Sequence, residues 1–385
     1  MKQSQPKRVL YASHWWLEEM MGAVAHYAAG YGWHLNYQMC LTGDLPEEWR
    51  GDGIITTFSG DIDKMKRFLD AADCPAVSLN TNYPEIDIPR VDIDMEAIGR
   101  LAAAHFLERG FQSFAVYTPH SWYATELGHA AFEQSVTEAG HTVHRLIWQE
   151  QRGRTRDSWL NRSRWLRRRL RGLPKPLAVL AVEVECPVEV IESCMAESLA
   201  IPDEVAVLGV LDMPVFRENT AIPLSNILVD FDTQARAACD LLHRMMEGEP
   251  APAGPIRIPP AGLVTRRSTD TIAATTPQVA KAIRFMLDHY AEPIGVPDAV
   301  RVSGMSRTGL YNAFESDLGA SPGAILTRIR IDKAKRMLRD TNEKMWSVSE
   351  ACGFGDPVNL YRHFKDSLGL SPSAYRKQST QQQAS

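Results

Sequence analysis

Leu310-Tyr311-x-x-Phe314-x-x-x-Leu318-Gly319-x-Ser321-Pro322-x-Ala324 recurs 50 residues later as Leu360-Tyr361-x-x-Phe364-x-x-x-Leu368-Gly369-x-Ser371-Pro372-x-Ala374. Within each copy Leu, Phe and Leu fall at i, i+4 and i+8, one apolar stripe of a helix. Glycine then ends the helix in a left-handed cap, and Ser-Pro opens the next one. The segment ahead of each copy completes the pattern. Pro297–Ser303, the turn Gly304-Met305-Ser306 and the helix Arg307–Asp317 form one helix-turn-helix unit; Trp346–Cys352, Gly353-Phe354-Gly355 and Pro357–Ser367 form another. A long helix over roughly Pro322 to Arg339 joins them, and Val279, Ala282, Ile283, Met286, Leu287 and Tyr290 predict a helix in front.

In a helix-turn-helix unit the second helix enters the major groove. With Leu310, Phe314 and Leu318 turned inward, rotation puts Thr308, Gly309 and Asn312 outward, and Val358, Asn359 and Arg362 in the second copy. Asn312 suits adenine, Arg362 guanine and Val358 a thymine methyl. Arg307 and Lys365 sit where phosphate contacts are expected. Charge agrees: residues 277–385 carry 15 basic against 11 acidic side chains, and the rest of the chain 27 against 36. A basic C-terminal module on an acidic body fits DNA binding through one end.

From Arg8 to about Arg267 short apolar runs alternate with amphipathic helices. Gly53–Ile55, Ala76–Leu79, Ser113–Tyr117, Ala178–Val182 and Val205–Val210 read as central parallel strands, and Ile256–Thr265 as a further strand-like segment. Ile98, Leu101, Ala102 and Phe106 form one helical stripe; Ala238, Leu241, Leu242 and Met245 form another. This is too much repeated β-α pattern for one average domain, so two α/β lobes are expected. The fold class is therefore an α/β body of two doubly wound parallel sheets over 1–270. A linker over 271–277, an all-α double helix-turn-helix domain over 278–378 and a disordered tail over 379–385 are expected to follow it.

No apolar run reaches the roughly 18 residues of a membrane span, and no apolar stretch follows the first basic residues, so the chain reads as cytoplasmic. The six cysteines (40, 74, 186, 194, 239 and 352) form no Cys-x-x-Cys pair and read as buried thiols, with no metal and no cofactor expected. Neither a nucleotide-binding Gly-rich loop, a nucleophile elbow nor a His-Glu-x-x-His helix occurs, which argues against an enzyme. The arginine run from Arg162 to Arg171, interleaved with Leu160, Leu166, Leu170 and Leu173, reads as the solvated face of an α/β helix.

Residues 277–385 resemble the AraC/XylS-type DNA-binding domain. The resemblance rests on Leu318-Gly319-x-Ser321-Pro322, Arg330-Ile331-x-x-Ala334-x-x-Met337-Leu338, Ala351-Cys352-Gly353-Phe354 and Leu368-Gly369-x-Ser371-Pro372-x-x-Tyr375-Arg376. It implies seven helices and recognition of two adjacent major-groove segments. Trp346-Ser347-Val348-Ser349 departs from the family's pattern in the helix supporting the second reader. The body resembles the two-lobed, periplasmic-binding-protein-like effector domain of LacI-type regulators, through Gly51-Asp52-Gly53-Ile54-Ile55, Val91-Asp92-Ile93-Asp94 and Ile201-Pro202-Asp203-Glu204-Val205. The two together, with Arg267-Ser268-Thr269-Asp270 at the junction, resemble the xylose operon regulators.

That resemblance implies a sugar held between the lobes. His14, Trp15, Trp16, Trp122 and Tyr123 fall in loops after strands, where a cleft forms. Glu183 and Asp212 are the expected polar anchors, because Val184 stands where the family has an Asp and Leu211-Asp212-Met213 replaces its Asp-Asn-Asp segment. The expected function is a sequence-specific transcription regulator of carbohydrate genes. The alternative is a regulator whose cleft is degenerate or takes a ligand other than a sugar. Expected partners are double-stranded DNA, a small-molecule effector, a second copy of the chain, and RNA polymerase if the output is activation.

Overall fold

The computed structural model describes residues 5–14, 16–46, 48–57, 61–149, 158–213 and 220–383. The elements are β1 (Arg8–Ala12), α1 (Glu18–Gly30), β2 (His34–Asn36), α2 (Gln38–Thr42), β3 (Gly53–Thr56), α3 (Ile62–Ala72), β4 (Ala76–Ser78) and β5 (Val91–Ile93). Next come α4 (Met95–Leu107), β6 (Ser113–Thr118), α5 (Tyr123–Glu138), β7 (Val143–Ile147), α6 (Trp159–Gly172), β8 (Leu177–Ala181), α7 (Cys186–Ala196), β9 (Val205–Val210) and β10 (Ser225–Leu228). Then follow α8 (Phe231–Met246), β11 (Ile256–Ile258), β12 (Gly262–Val264) and a 3-10 turn at Arg267–Thr269.

Two parallel sheets make two lobes. The first has strand order β2-β1-β3-β4; the second is β12-β10-β9-β8-β6-β7, with only β12 antiparallel. The apolar runs are unbroken because each sheet is covered on both faces. In β1, Val9 and Tyr11 pack under α1 and α8, and Leu10 and Ala12 pack against α2 and α3. In β6, Phe114 and Val116 meet α4 and α5, and Ala115 and Tyr117 meet α6 and α7.

The chain crosses between lobes three times. Asp94 caps α4, its carboxylate accepting from Ala97 N at 2.8 Å, and α4 packs on the second sheet although β5 belongs with the first lobe. Asp230 caps α8 in the same way through Thr233 N at 2.9 Å, and α8 returns to the first sheet. The third crossing divides what the sequence suggested as one segment from Ile256 to Thr265. Ile256–Ile258 pairs with β5, Gly262–Val264 pairs with β10, and Pro259-Pro260, with no N–H to give a ladder, lies between.

Seven helices follow among the described residues: α9 (Pro277–His289), α10 (Val296–Ser303), α11 (Arg307–Leu318), α12 (Pro322–Asp340), α13 (Met345–Ala351), α14 (Pro357–Leu368) and α15 (Pro372–Gln383). The last helix runs on to Gln383 where a disordered tail was expected; the Gln-rich stretch contains no helix breaker. Gly319 (φ 60°) and Gly369 (φ 71°) take the same left-handed cap after α11 and α14. Ser321 and Ser371 then cap the following helices, accepting from Ala324 N at 3.3 Å and Ala374 N at 3.1 Å.

Two small cores result. Val279, Ile283, Leu310, Phe314, Ile325 and Ile329 fill the first; Ile331, Leu338, Val348, Leu360 and Phe364 fill the second. Helix α12, 19 residues and therefore about 28 Å long, is shared by both. In α13, Val348 and Ser349 take the inward positions and Trp346 is turned out to solvent, 60% exposed. Segment 271–277 is no free tether. Ile272 and Ala274 are buried in the first helical core, and Ala273 N donates to Arg109 O at 2.8 Å. Of the cysteines four are buried, and Cys40 and Cys74 are half-buried.

Candidate DNA-reading face and inter-lobe cleft

Helices α11 and α14 present equivalent faces. Leu310 and Phe314 are wholly buried, so Arg307, Thr308 and Asn312 are turned outward and exposed. Leu360 and Phe364 do the same for α14, leaving Val358 75% exposed and Arg362 and Lys365 in solvent. Ser306 caps α11 through Gly309 N at 3.1 Å, and Asp356 caps α14 through Val358 N and Asn359 N at 2.8 Å each. These caps put the first helical turns, which carry Thr308 and Val358, at the free ends of the readers.

Asn359 has a different setting from the other six. It is half-buried; its amide nitrogen donates to Phe354 O at 3.3 Å and Asp356 Oδ2 at 2.8 Å, and its oxygen accepts from Arg362 Nη2 at 3.1 Å. Its side chain therefore ties the turn to the helix and steadies Arg362. Two tyrosines that the sequence reading passed over occupy matching positions. Arg307 lies over Tyr311 and Lys365 over Tyr361, each cation 5.8 Å from the ring centre. Both tyrosines were already visible as the second residue of the quoted repeat.

The cleft opens between the lobes at the C-terminal ends of the strands, with about 290 Å³ of free volume. Its walls are Tyr11, Ser13, Leu17, Met20, Thr57, Leu79, Asn80 and Asn82 from the first lobe, Trp122, Ala124, Thr125 and Glu183 from the second, and Ile93, Phe231 and Gln234 at the crossings. Asn82 Oδ1 accepts from Ala124 N at 3.4 Å, a contact that spans the lobes.

Trp122 and Glu183 therefore do line the cleft. His14 and Trp16 are exposed beyond the end of β1, and Tyr123 is exposed at the start of α5; the three adjoin wall residues without being among them. Trp15 lies outside the described residues. Asp212 is not on these walls but lines an adjoining cavity between the lobes with Glu19, His26 and Phe231; Arg266 donates to its two oxygens at 2.8 and 2.6 Å, and Asn226 Nδ2 adds a third bond at 3.2 Å. A half-buried bidentate pair of this kind leaves the carboxylate engaged in joining β9 and β10 to the chain's exit.

Glu183 is the one ionisable group on the described cleft walls apart from Tyr11. Its Oε1 accepts from Thr118 Oγ1 at 2.8 Å and Thr125 Oγ1 at 3.4 Å, and Cys186 Sγ donates to Oε2 at 3.4 Å. Burial pushes its carboxyl up to about 7, against the opposing pull of those hydrogen bonds. Gln234 is wholly buried. Its nitrogen donates to Leu79 O at 2.9 Å and Val91 O at 2.7 Å, which fixes the amide, and its buried oxygen has no partner among the described residues. The cleft thus sets Glu183 on one wall and the buried amide of Gln234 behind the other, among apolar side chains, a setting for a ligand that donates hydrogen bonds. No cluster of His, Cys, Asp and Glu able to hold a metal occurs among the described residues.

Comparison with known proteins agrees with this layout. A periplasmic binding protein-like domain matches residues 103–269 and a helix-turn-helix domain residues 300–378. The xylose operon regulatory protein of Escherichia coli K12 is 26% identical over 341 residues, 86% of either chain, and that of Haemophilus influenzae 24% over 333 residues, 84% of either. A solved structure of the xylose-binding transcription activator XylR superposes with a TM-score of 0.62 at 23% identity, covering 97% of this chain and 98% of that one. The chain is a DNA-binding transcription regulator built like the xylose operon regulators, an AraC-type pair of helix-turn-helix units carried on a periplasmic-binding-protein-like body.

Proposed function

We propose that the chain controls carbohydrate genes by binding tandem DNA sites through α11 and α14, in response to a neutral sugar held in the inter-lobe cleft. The observation that carries this is the pairing of two repeat-related helices, apolar seam inward and polar face outward, with a body whose inter-lobe cleft is lined by Trp122, Glu183 and Gln234. Arg307, Thr308, Asn312, Val358, Arg362 and Lys365 are the DNA-facing set, with Asn359 positioning Arg362. Trp122, Glu183, Gln234, Asn80 and Asn82 are the effector set, the indole supplying a face for the C–H side of a sugar ring. No catalytic role is assigned. Work as a cytoplasmic homodimer, with RNA polymerase as partner when the output is activation, is part of the same reading, supported by the likeness to known regulators. Among the described residues no helix is long and apolar enough to cross a membrane.

Thermal unfolding of the full chain against a panel of pentoses, hexoses and sugar acids tests the effector half. A ligand at 100 times its Kd adds about 2.7 kcal/mol to native stability. We expect a rise in Tm with one neutral sugar, lost in Gln234→Ala. The engagement of Asp212 by Arg266 and the mostly apolar walls favour a second reading, a cleft for a ligand other than a sugar. A panel without any shift would select it.

A further inference from the structure

Helix α6 has six arginines and no acidic residue in 14 positions. Leu166 and Leu170 are buried against the second sheet, and Arg164, Arg168 and Arg171 follow at i, i+4 and i+7 on the opposite, exposed side, with Arg169 exposed at its flank. Several arginines of the body are matched to acids: Arg145 to Glu126 and Glu133, Arg266 to Asp212 and, on the inner side of α6 itself, Arg162 to Glu189. On the outer side of α6 only Arg171 has an acid nearby, Glu197 at 3.4 Å; Arg164, Arg168 and Arg169 have none among the described residues. Concentrating like charge on one face costs stability, and among the described residues only Glu197 offsets it there.

The placement of this face matters. Helix α6 runs back from the cleft side of the sheet, so its arginine-rich C-terminal half lies at the end away from the cleft. There Pro174, Lys175 and Pro176, just after α6, share one cavity wall with Thr275 and with Asp317 in the last turn of α11. Asp317 in turn accepts from Thr276 N at 2.7 Å, so the first reader is pinned beside this end of the lobe. The C-terminal end of α6 and the last turn of the first reader thus meet at one cavity, on a body that is otherwise acidic.

We propose that α6 is a secondary DNA contact, Arg164, Arg168, Arg169 and Arg171 taking backbone phosphates of the duplex that flanks the first reader's site. This rests on the DNA-binding reading given above. Seven helical residues span about 10 Å, the length over which one DNA strand presents about three phosphates. Such contacts carry no base information; they add affinity, salt dependence and register. The acidic remainder of the body repels the duplex elsewhere and so confines it to this side.

The test uses the full chain and a duplex selected by it from a random pool, made in two lengths: one trimmed to the readers' sites and one extended past the α11 side. Binding by fluorescence anisotropy is followed over a salt series. Each phosphate neutralised contributes about 0.9 to the slope of log K against log salt. The unaltered chain should show a slope about 2–3 steeper on the extended duplex. Arg164→Gln with Arg168→Gln should remove about 2 of this on the extended duplex only, with Tm unchanged, and Arg164→Lys with Arg168→Lys should restore it. Equal slopes on both duplexes would overturn the proposal, and so would an equal loss on both, which would place the arginines in folding or assembly. An unchanged slope with altered transcription in the presence of RNA polymerase would overturn it in favour of an acidic protein partner. Absence of any sequence preference by the unaltered chain would defeat the DNA-binding reading itself.

Discussion

Glu183 and Gln234 show how single side chains define the cleft. Glu183 is protonated more readily in the folded chain than in the unfolded one, because burial raises its carboxyl to about 7. Its contribution to stability is therefore fully present below the ordinary carboxylate range and is lost as pH rises through 7. Glu183→Gln should leave unfolding at pH 5 nearly unchanged and should stabilise the chain by about 1–3 kcal/mol at pH 8, measured by urea denaturation at both pH values. A gain of equal size at both would show that the carboxyl titrates normally. Sequence reasoning reached Glu183 through the resemblance, as the neighbour of Val184, which stands where the family ends a strand with an Asp. The same resemblance pointed to Asp212, which lines the adjoining inter-lobe cavity with its carboxylate taken up by Arg266, 54 residues away. Gln234 was not legible at all: its role depends on two carbonyls, Leu79 O and Val91 O, supplied by other segments.

At the scale of elements, the repeat made α11 and α14 readable almost to the residue. A period of about 3.6, a glycine cap and a Ser-Pro start are local signals that tertiary packing had no reason to override. The segment from Ile256 was less legible, since its two halves join different sheets and only the lobes' arrangement decides that. The turn between α13 and α14 holds two glycines with similar backbone and unlike surroundings. A Cβ at Gly353 (φ 74°) would stand 2.0 Å from Tyr290 O and 2.7 Å from Arg330 Nε, whereas at Gly355 (φ 78°) it would meet nothing within 4 Å. Arg330 Nε donates to Tyr290 O at 2.9 Å, so the crowded site is also where α12 is tied to the end of α9. Gly355→Ala should cost only the roughly 1–2 kcal/mol of left-handed backbone. Gly353→Ala should cost at least twice as much in thermal unfolding and should weaken DNA binding; equal costs would mean that the contact yields freely.

For the whole molecule, the readers are docked on the second lobe and not tethered to it. Arg284 Nε donates to Asp203 Oδ2 at 3.1 Å, Lys333 reaches Asp270 at 2.6 Å with Arg336 at 3.5 Å on the other oxygen, and Arg328 Nη2 donates to Glu108 O at 2.8 Å. Burial opposes the charge of Asp270, and Lys333 with Arg336 outweighs it, lowering the carboxyl's pKa. Rotation of the second lobe about the three crossings therefore carries both readers with it, which gives a ligand between the lobes a route to the DNA side. A ligand moves this equilibrium only through unequal affinity for the two arrangements.

The central claim is that α11 and α14 read two successive major grooves of one duplex. Selection of binding sites from a random duplex pool by the full chain, repeated with Asn312→Ala and with Arg362→Ala, tests it most directly. Each substitution should relax preference at its own position, at a cost of about 1–3 kcal/mol there, and the two positions should lie one helical turn, about 10 base pairs, apart. Relaxation of the same position by both, or unchanged preference in either variant, would show that the two helices do not read DNA in this way.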